Sequence, residues 1–145
     1  MLLLTINARP NQYVNNALYA ILSVFNTLSF SSKTQNQFFS TDCLLDTLFT
    51  TMLLKPRKIY PDAAFVELSE ILSNLAAVDS IPQLDRLLDK SVGLAIMTLI
   101  ADWNGRSMSI IYNCFNALEN LFSVYQDEKL YSKLQVQFSI FSKEG

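Results

Sequence analysis

Apolar residues recur at helical spacing along most of this chain. Between Pro61 and Val78, Phe65, Leu68, Leu72 and Leu75 follow the i, i+3, i+7, i+10 spacing of one helix face. Glu67, Glu70 and Asn74 take the same spacing on the opposite face. Tyr60-Pro61-Asp62 opens this helix, because proline is tolerated in a first turn and an acid complements the positive end of the helix dipole. The stretch from Arg106 to Val124 repeats the pattern 46 residues on, with Ile111, Cys114, Leu118 and Leu121 as the apolar row and Asn113, Asn116 and Asn120 as the polar row. Upstream, Leu18, Ile21, Phe25 and Leu28 match the apolar row at a shift of 47, and the polar positions there are Ala20, Ser23 and Thr27. A register aligning Asn26 with Asn74 spoils the apolar match and is set aside.

The intervening segments repeat as well. Leu45, Leu48, Phe49, Met52 and Leu53 correspond, 47 residues on, to Val92, Ala95, Ile96, Leu99 and Ile100. Short apolar-bearing stretches, Gln35 to Ser40 and Ile81 to Asp89, precede each, and Leu84 and Leu88 recur as Leu130 and Leu134. Ser31-Ser32, Lys55-Pro56-Arg57-Lys58 and Asn104-Gly105 break the units. A period of 46–47 residues with a short, a middle and a long helix per unit predicts an all-α fold, a right-handed α-solenoid of three-helix repeats. One unit cannot bury its apolar face alone, so middle helices apolar on nearly all sides belong in a stack. The expected organisation is one domain over 1–145, with a partial repeat at 1–30, repeats at 31–78 and 79–124, and a partial repeat at 125–145. In this register Met1 aligns with Leu48, and Phe138 and Phe141 align with Val92 and Ala95, inside middle helices. The segment is therefore expected to belong to a longer solenoid, or to pack its ends against further repeats or a partner subunit.

The ends of the long helices carry a resemblance. Phe25-Asn26-Thr27-Leu28-Ser29, Leu72-Ser73-Asn74-Leu75-Ala76 and Leu118-Glu119-Asn120-Leu121-Phe122 look like the Leu-x-Asn-Leu stretch that closes third helices in the armadillo repeat family. The resemblance covers nearly the whole chain and also touches the related HEAT repeats. It implies a protein-binding solenoid like those of the importin-α adaptors, whose third-helix asparagines hydrogen-bond an extended peptide in a concave groove. A carboxamide can satisfy a peptide N–H and C=O together. Asn74 and Asn120 match that ladder, and Thr27 replaces it with a shorter hydroxyl. Importin-α readers carry a tryptophan one turn earlier, where this chain has Ser23, Glu70 and Asn116. The resemblance thus implies a generic groove rather than lysine slots for a nuclear-localisation signal. Glu67 and Glu70, with Asn113 and Asn116, would flank the ligand, the acids favouring Lys or Arg. Two roles stay open for Asn74 and Asn120, contact with a peptide or bridging of neighbouring helices inside the stack.

Composition narrows the chemistry. Half of the residues are hydrophobic, 17% are charged and the net charge is −2, so a phosphate-neutralising nucleic-acid face is not expected. With no histidine, His-based acid–base catalysis, His–Cys pairs and His metal ligands are excluded. Cys43 and Cys114 sit in apolar runs and read as buried free thiols, which fits a reducing compartment. No run approaches the ~20 apolar residues of a membrane helix, and the start lacks a signal-peptide n-region. The reading is a soluble intracellular protein, cytoplasmic and/or nuclear, with no membrane association. No phosphate loop, metal-spaced ligand set or nucleophile–base pair is present, so neither an enzyme nor a cofactor is expected. Lys55-Pro56-Arg57-Lys58 reads as a solvated interhelical loop, and Asp85 and Asp89 as surface charge. Phe122, Tyr125, Tyr131, Phe138 and Phe141 are either core for further repeats or a partner surface. The function expected is a protein–protein interaction module taking an extended peptide or partner protein along the groove, as an adaptor or in transport. The alternative is a structural scaffold or assembly segment with no peptide groove.

Overall fold

The computed structural model of the protein describes residues 12–49, 61–102, 105 and 107–144. Their order is α1 (Gln12–Phe30), α2 (Ser32–Ser40), α3 (Asp42–Asp46), α4 (Asp62–Ala76), α5 (Ile81–Asp89), α6 (Val92–Ala101), α7 (Met108–Leu121), a 3-10 helix (Phe122–Gln126) and α8 (Glu128–Glu144). A short π-helical turn, Thr47–Phe49, extends α3. The fold is all-α, and no described residue lies in a strand. Met1, Tyr60, Met52 and Leu53, the Lys55-Pro56-Arg57-Lys58 cluster, Trp103, Asn104 and Arg106 lie outside the described residues.

Helix starts follow local chemistry. Ser31, Ser80 and Ser107 are N-caps whose hydroxyls accept from the backbone N–H of Lys33, Gln83 and Ser109. Pro61 occupies the N-cap of α4 and Asp62 supplies the acid of its first turn. The apolar rows then collapse into one core. Phe65, Leu68, Leu72 and Leu75 of α4, Leu84 and Leu88 of α5, Ala95, Ile96 and Leu99 of α6, and Cys114 and Leu121 of α7 are all buried. The long helices lie side by side, with α4 packed against both α1 and α7. Helix α6 packs against α4, α7 and α8, and α5 packs against α8.

Between α5 and α6 the chain bends at Ser91, which adopts a left-handed conformation with φ 64°. The register leads one to expect the same break near Gln137, 46 residues on, with a separate middle helix after it. Instead α8 runs unbroken from Glu128 to Glu144. The Gln137 side chain faces inward and caps the bend between α5 and α6. Its Nε2 donates to the Leu88 carbonyl at 2.7 Å, and its Oε1 accepts from the Gly93 N–H at 2.8 Å. Gly93 makes this approach possible, because a Cβ there would stand 2.8 Å from both Gln137 Oε1 and Leu134 Cδ1. Leu130 and Leu134 are buried, as Leu84 and Leu88 are.

Two expectations need correction. Leu118 is only half-buried, whereas its counterpart Leu72 is fully buried, because among the described residues no further helix closes over the outer side of α7, where Leu118 lines an open groove. Cys114 is buried and burial pushes its thiol up to about 12, but Cys43 is exposed at the start of α3. Both thiols are free.

Candidate functional site

The polar rows of α4 and α7 meet the preceding long helix. At the α1–α4 seam, Ser23 Oγ donates to Glu67 Oε1 at 3.4 Å, and Asn26 Nδ2 donates to Glu67 Oε2 at 2.8 Å and to Glu70 Oε2 at 2.5 Å. Asn74 Nδ2 donates to Asn26 Oδ1 at 3.0 Å and to Ser29 Oγ at 3.1 Å. The two carboxylates fix the Asn26 amide orientation, since only its NH2 can face them, and its oxygen is left for Asn74. At the α4–α7 seam, Asn113 Nδ2 donates to Ser69 Oγ at 3.1 Å and Asn116 Nδ2 donates to Ser73 Oγ at 2.6 Å. Ser29, Ser69 and Ser73 are buried, and serine is small enough to let the helices approach while offering an acceptor.

Of the residues singled out from the sequence, Ser23, Glu67, Glu70, Asn74, Asn113 and Asn116 are therefore drawn into bonds between long helices. Thr27 stands apart: it is exposed and its hydroxyl donates to the Ser23 carbonyl of its own helix at 3.0 Å. Asn120 is half-exposed and makes no side-chain hydrogen bond among the described residues. Asn26, Ser29, Ser69 and Ser73 complete the seams and were not in the sequence reading of the site. Spacing hinted at Asn26 alone, through the register set aside for its apolar mismatch. Residues that bond across a seam are 41 to 48 apart rather than at strictly equivalent positions, so repeat alignment does not pair them.

A second layer of contacts joins the short helices. Lys90 pairs with Asp46, and Lys133 pairs with Asp85 and Asp89, with Lys129 3.7 Å from Asp85. The hydrogen bond and charge of Lys133 hold the Asp85 carboxyl below the usual carboxylate range. The same two acids raise the Lys133 ammonium. Asp85 and Asp89, expected as plain surface charge, thus tie α5 to α8 while remaining partly solvated.

At the far side of α7 an open groove of about 730 Å3 is lined by Met97, Ala101, Leu118, Phe122, Phe138 and Phe141. The rings of Phe122 and Phe138 lie 6.2 Å apart at 53°. Tyr125 is exposed nearby and Tyr131 is half-buried. The groove offers apolar contact and no titratable side chain. Among the described residues no cluster of His, Cys, Asp or Glu could hold a metal ion, and no helix is long and apolar enough to cross a membrane. No family model matches the chain, and neither a curated protein nor a solved structure matches it.

Proposed function

We propose that the chain is a non-catalytic helical scaffold, built from armadillo- or HEAT-type three-helix units in a right-handed α-solenoid, that works inside the cell by binding other proteins through its faces. The observation that carries this reading is the commitment of the polar row. Five of the six polar-row side chains of α4 and α7 bond to a neighbouring long helix: Glu67, Glu70, Asn74, Asn113 and Asn116. The Asn74 amide nitrogen already makes two bonds to α1, so donating to a peptide carbonyl means giving one of them up, which cancels most of that gain. The armadillo-type reading is supported by the recurrence of short, middle and long helices. An extended-peptide groove along the same row is the second reading, and the unbonded amide of Asn120 is what favours it.

Asn74→Ala and Asn120→Ala separate the two. In a scaffold, losing the two hydrogen bonds of Asn74 costs about 1–3 kcal/mol of unfolding free energy, while Asn120→Ala stays within about 0.5 kcal/mol. Urea unfolding followed by circular dichroism measures both. If Asn74→Ala leaves stability unchanged while the double variant loses affinity for an extended Lys/Arg-containing peptide, the groove replaces the scaffold.

A further inference from the structure

The two outer long helices expose faces that the inner seams bury. In α4 the row Phe65, Ser69, Leu72 and Ala76 is buried, and Ser69 is bonded by Asn113 of α7. The equivalent row, 46 residues on, is Ile111, Phe115 and Leu118 of α7 and Phe122 at the start of the 3-10 helix that follows it. Here Phe115 is 57% and Phe122 45% exposed, and Leu118 and Phe122 line the apolar groove. The row that would be covered by a following long helix is therefore open, aromatic and uncharged.

The opposite end of the layer shows the complementary surface. Helices α4 and α7 turn Glu67, Glu70, Asn74 and Asn113, Asn116 to the preceding long helix; of the α1 positions equivalent to that row, Ser23 bonds inward to Glu67, and Ala20 and Thr27 lie outside the seam. Both are exposed, as are Ala17, Tyr13 and Val24, the last two at 85% and 58%. Tyr13, Ala17, Ala20, Val24 and Thr27 recur at i, i+4, i+7, i+11 and i+14, which is one stripe of a helix. The 19 residues of α1 contain no charged side chain at all. A long helix with no charge and an exposed apolar stripe is unusual on a solvated surface.

We infer that a second copy of this chain stacks head to tail on the first, its α1 stripe of Tyr13, Ala17, Ala20 and Val24 covering the Phe115–Phe122 face and groove of α7. Three observations select this occupant. The α7 row continues the layer in which α1, α4 and α7 already lie side by side, so the body it accepts is a long helix of the same kind. Helix α1 is such a helix, and its uncovered stripe is on the page. Large rings on one face meet alanines on the other, and neither four-residue row carries a charge; the exposed Glu119, at the position of Ser73, flanks the α7 row. The two surfaces differ, so the association is heterologous and adds copies in one direction. This inference rests on the repeat scaffold proposed above.

Sedimentation equilibrium of the 145-residue chain, with two single variants, tests it. Phe115→Glu blocks the α7 face and Val24→Glu blocks the α1 stripe; both sites are exposed, so folding is checked by unchanged helical circular dichroism. The wild type should gain mass beyond a dimer as concentration rises. Each variant alone should stay monomeric. An equimolar mixture of the two should double in mass to a 1:1 dimer and stop, because each variant retains the face the other lacks. A wild type monomeric at all concentrations overturns the inference and leaves these faces to a different protein. A discrete dimer abolished by one variant and not restored by mixing overturns it in favour of a symmetric contact. The Asn74→Ala stability measurement reads the scaffold independently, so failure of stacking and failure of the scaffold give different results.

Discussion

Replacing Gln137 with methionine should loosen the bend between α5 and α6 although the residue lies on α8. Gln137 is 6% exposed and its amide makes two bonds to backbone groups. The two are unequal. The Leu88 carbonyl also accepts from the Ser91 N–H at 3.0 Å, so it keeps a partner, and the loss there is about 0.5–1.5 kcal/mol. The Gly93 N–H belongs to the first turn of α6, where no intrahelical acceptor exists. Stripped of Gln137 it becomes a buried unsatisfied donor, which costs about 1–3 kcal/mol. Methionine conserves length and packs flexibly, so little cavity term is added. The expected loss is about 2–4 kcal/mol in urea unfolding followed by circular dichroism. Hydrogen exchange of the Gly93 amide should accelerate at the same time. A loss below about 0.5 kcal/mol, with Gly93 exchange unchanged, would refute the clamp.

Two other outcomes follow from burial and charge. Leu72→Ala should cost about 2–5 kcal/mol, whereas Leu118→Ala, half-buried at the groove, should cost about 1 kcal/mol in urea unfolding; equal losses would contradict the asymmetry of the two sites. The Asp85–Lys133–Asp89 cluster should contribute about 0.2–1 kcal/mol per pair, measured as the stability gap between wild type and Lys133→Met across pH. Asp85 is held low, so its share is fully present above the ordinary carboxylate pKa of about 3.9 and is lost as pH falls through the lowered value. Lys133 is raised, so its share is fully present below its ordinary pKa of about 10.4 and is lost only as pH rises through the raised value. A gap as large in strong acid as at neutrality would rule out the pairing.

The helices were legible because their apolar rows are long and periodic. Leu18 to Leu28, Phe65 to Leu75 and Ile111 to Leu121 mark three long helices, and all three fall inside α1, α4 and α7. The partners of the polar row were not legible, because periodicity tells which residues share a face and not what lies against it. Asn74 reads the same from sequence whether it meets a peptide or Asn26. The continuity of α8 was hidden for a related reason. Val92 and Phe138 look alike as apolar residues, but the bend before Val92 depends on a left-handed Ser91 and on Gln137 reaching across from another unit. Cys43 misled through its neighbours: an apolar run at a helix start leaves its first turn facing solvent.

The polar seams do something that the apolar core cannot. Leucine and isoleucine rows permit several registers at similar cost, since apolar burial has no direction. A buried donor without an acceptor is costly, so each Asn–Ser contact admits one register. The hydroxyl of Ser29 donates back to the Asn26 carbonyl at 2.8 Å and that of Ser69 to the Val66 carbonyl at 2.9 Å. Each serine thus spends its proton within its own helix and keeps its lone pairs for the asparagine of the following one. Asn74 meets Ser29, Asn113 meets Ser69 and Asn116 meets Ser73, always with the amide on the later helix. The ion pairs run the same way, with Lys90 reaching back to Asp46 and Lys133 reaching back to Asp89. The α1–α4 seam also carries bonds in the other sense, from Ser23 and Asn26 to Glu67 and Glu70, so donors and acceptors interlock there from both sides. On the outer side of α7 the positions of Ser69 and Ser73 are held by Phe115 and Glu119, so the serine acceptors of the inner seam do not recur there.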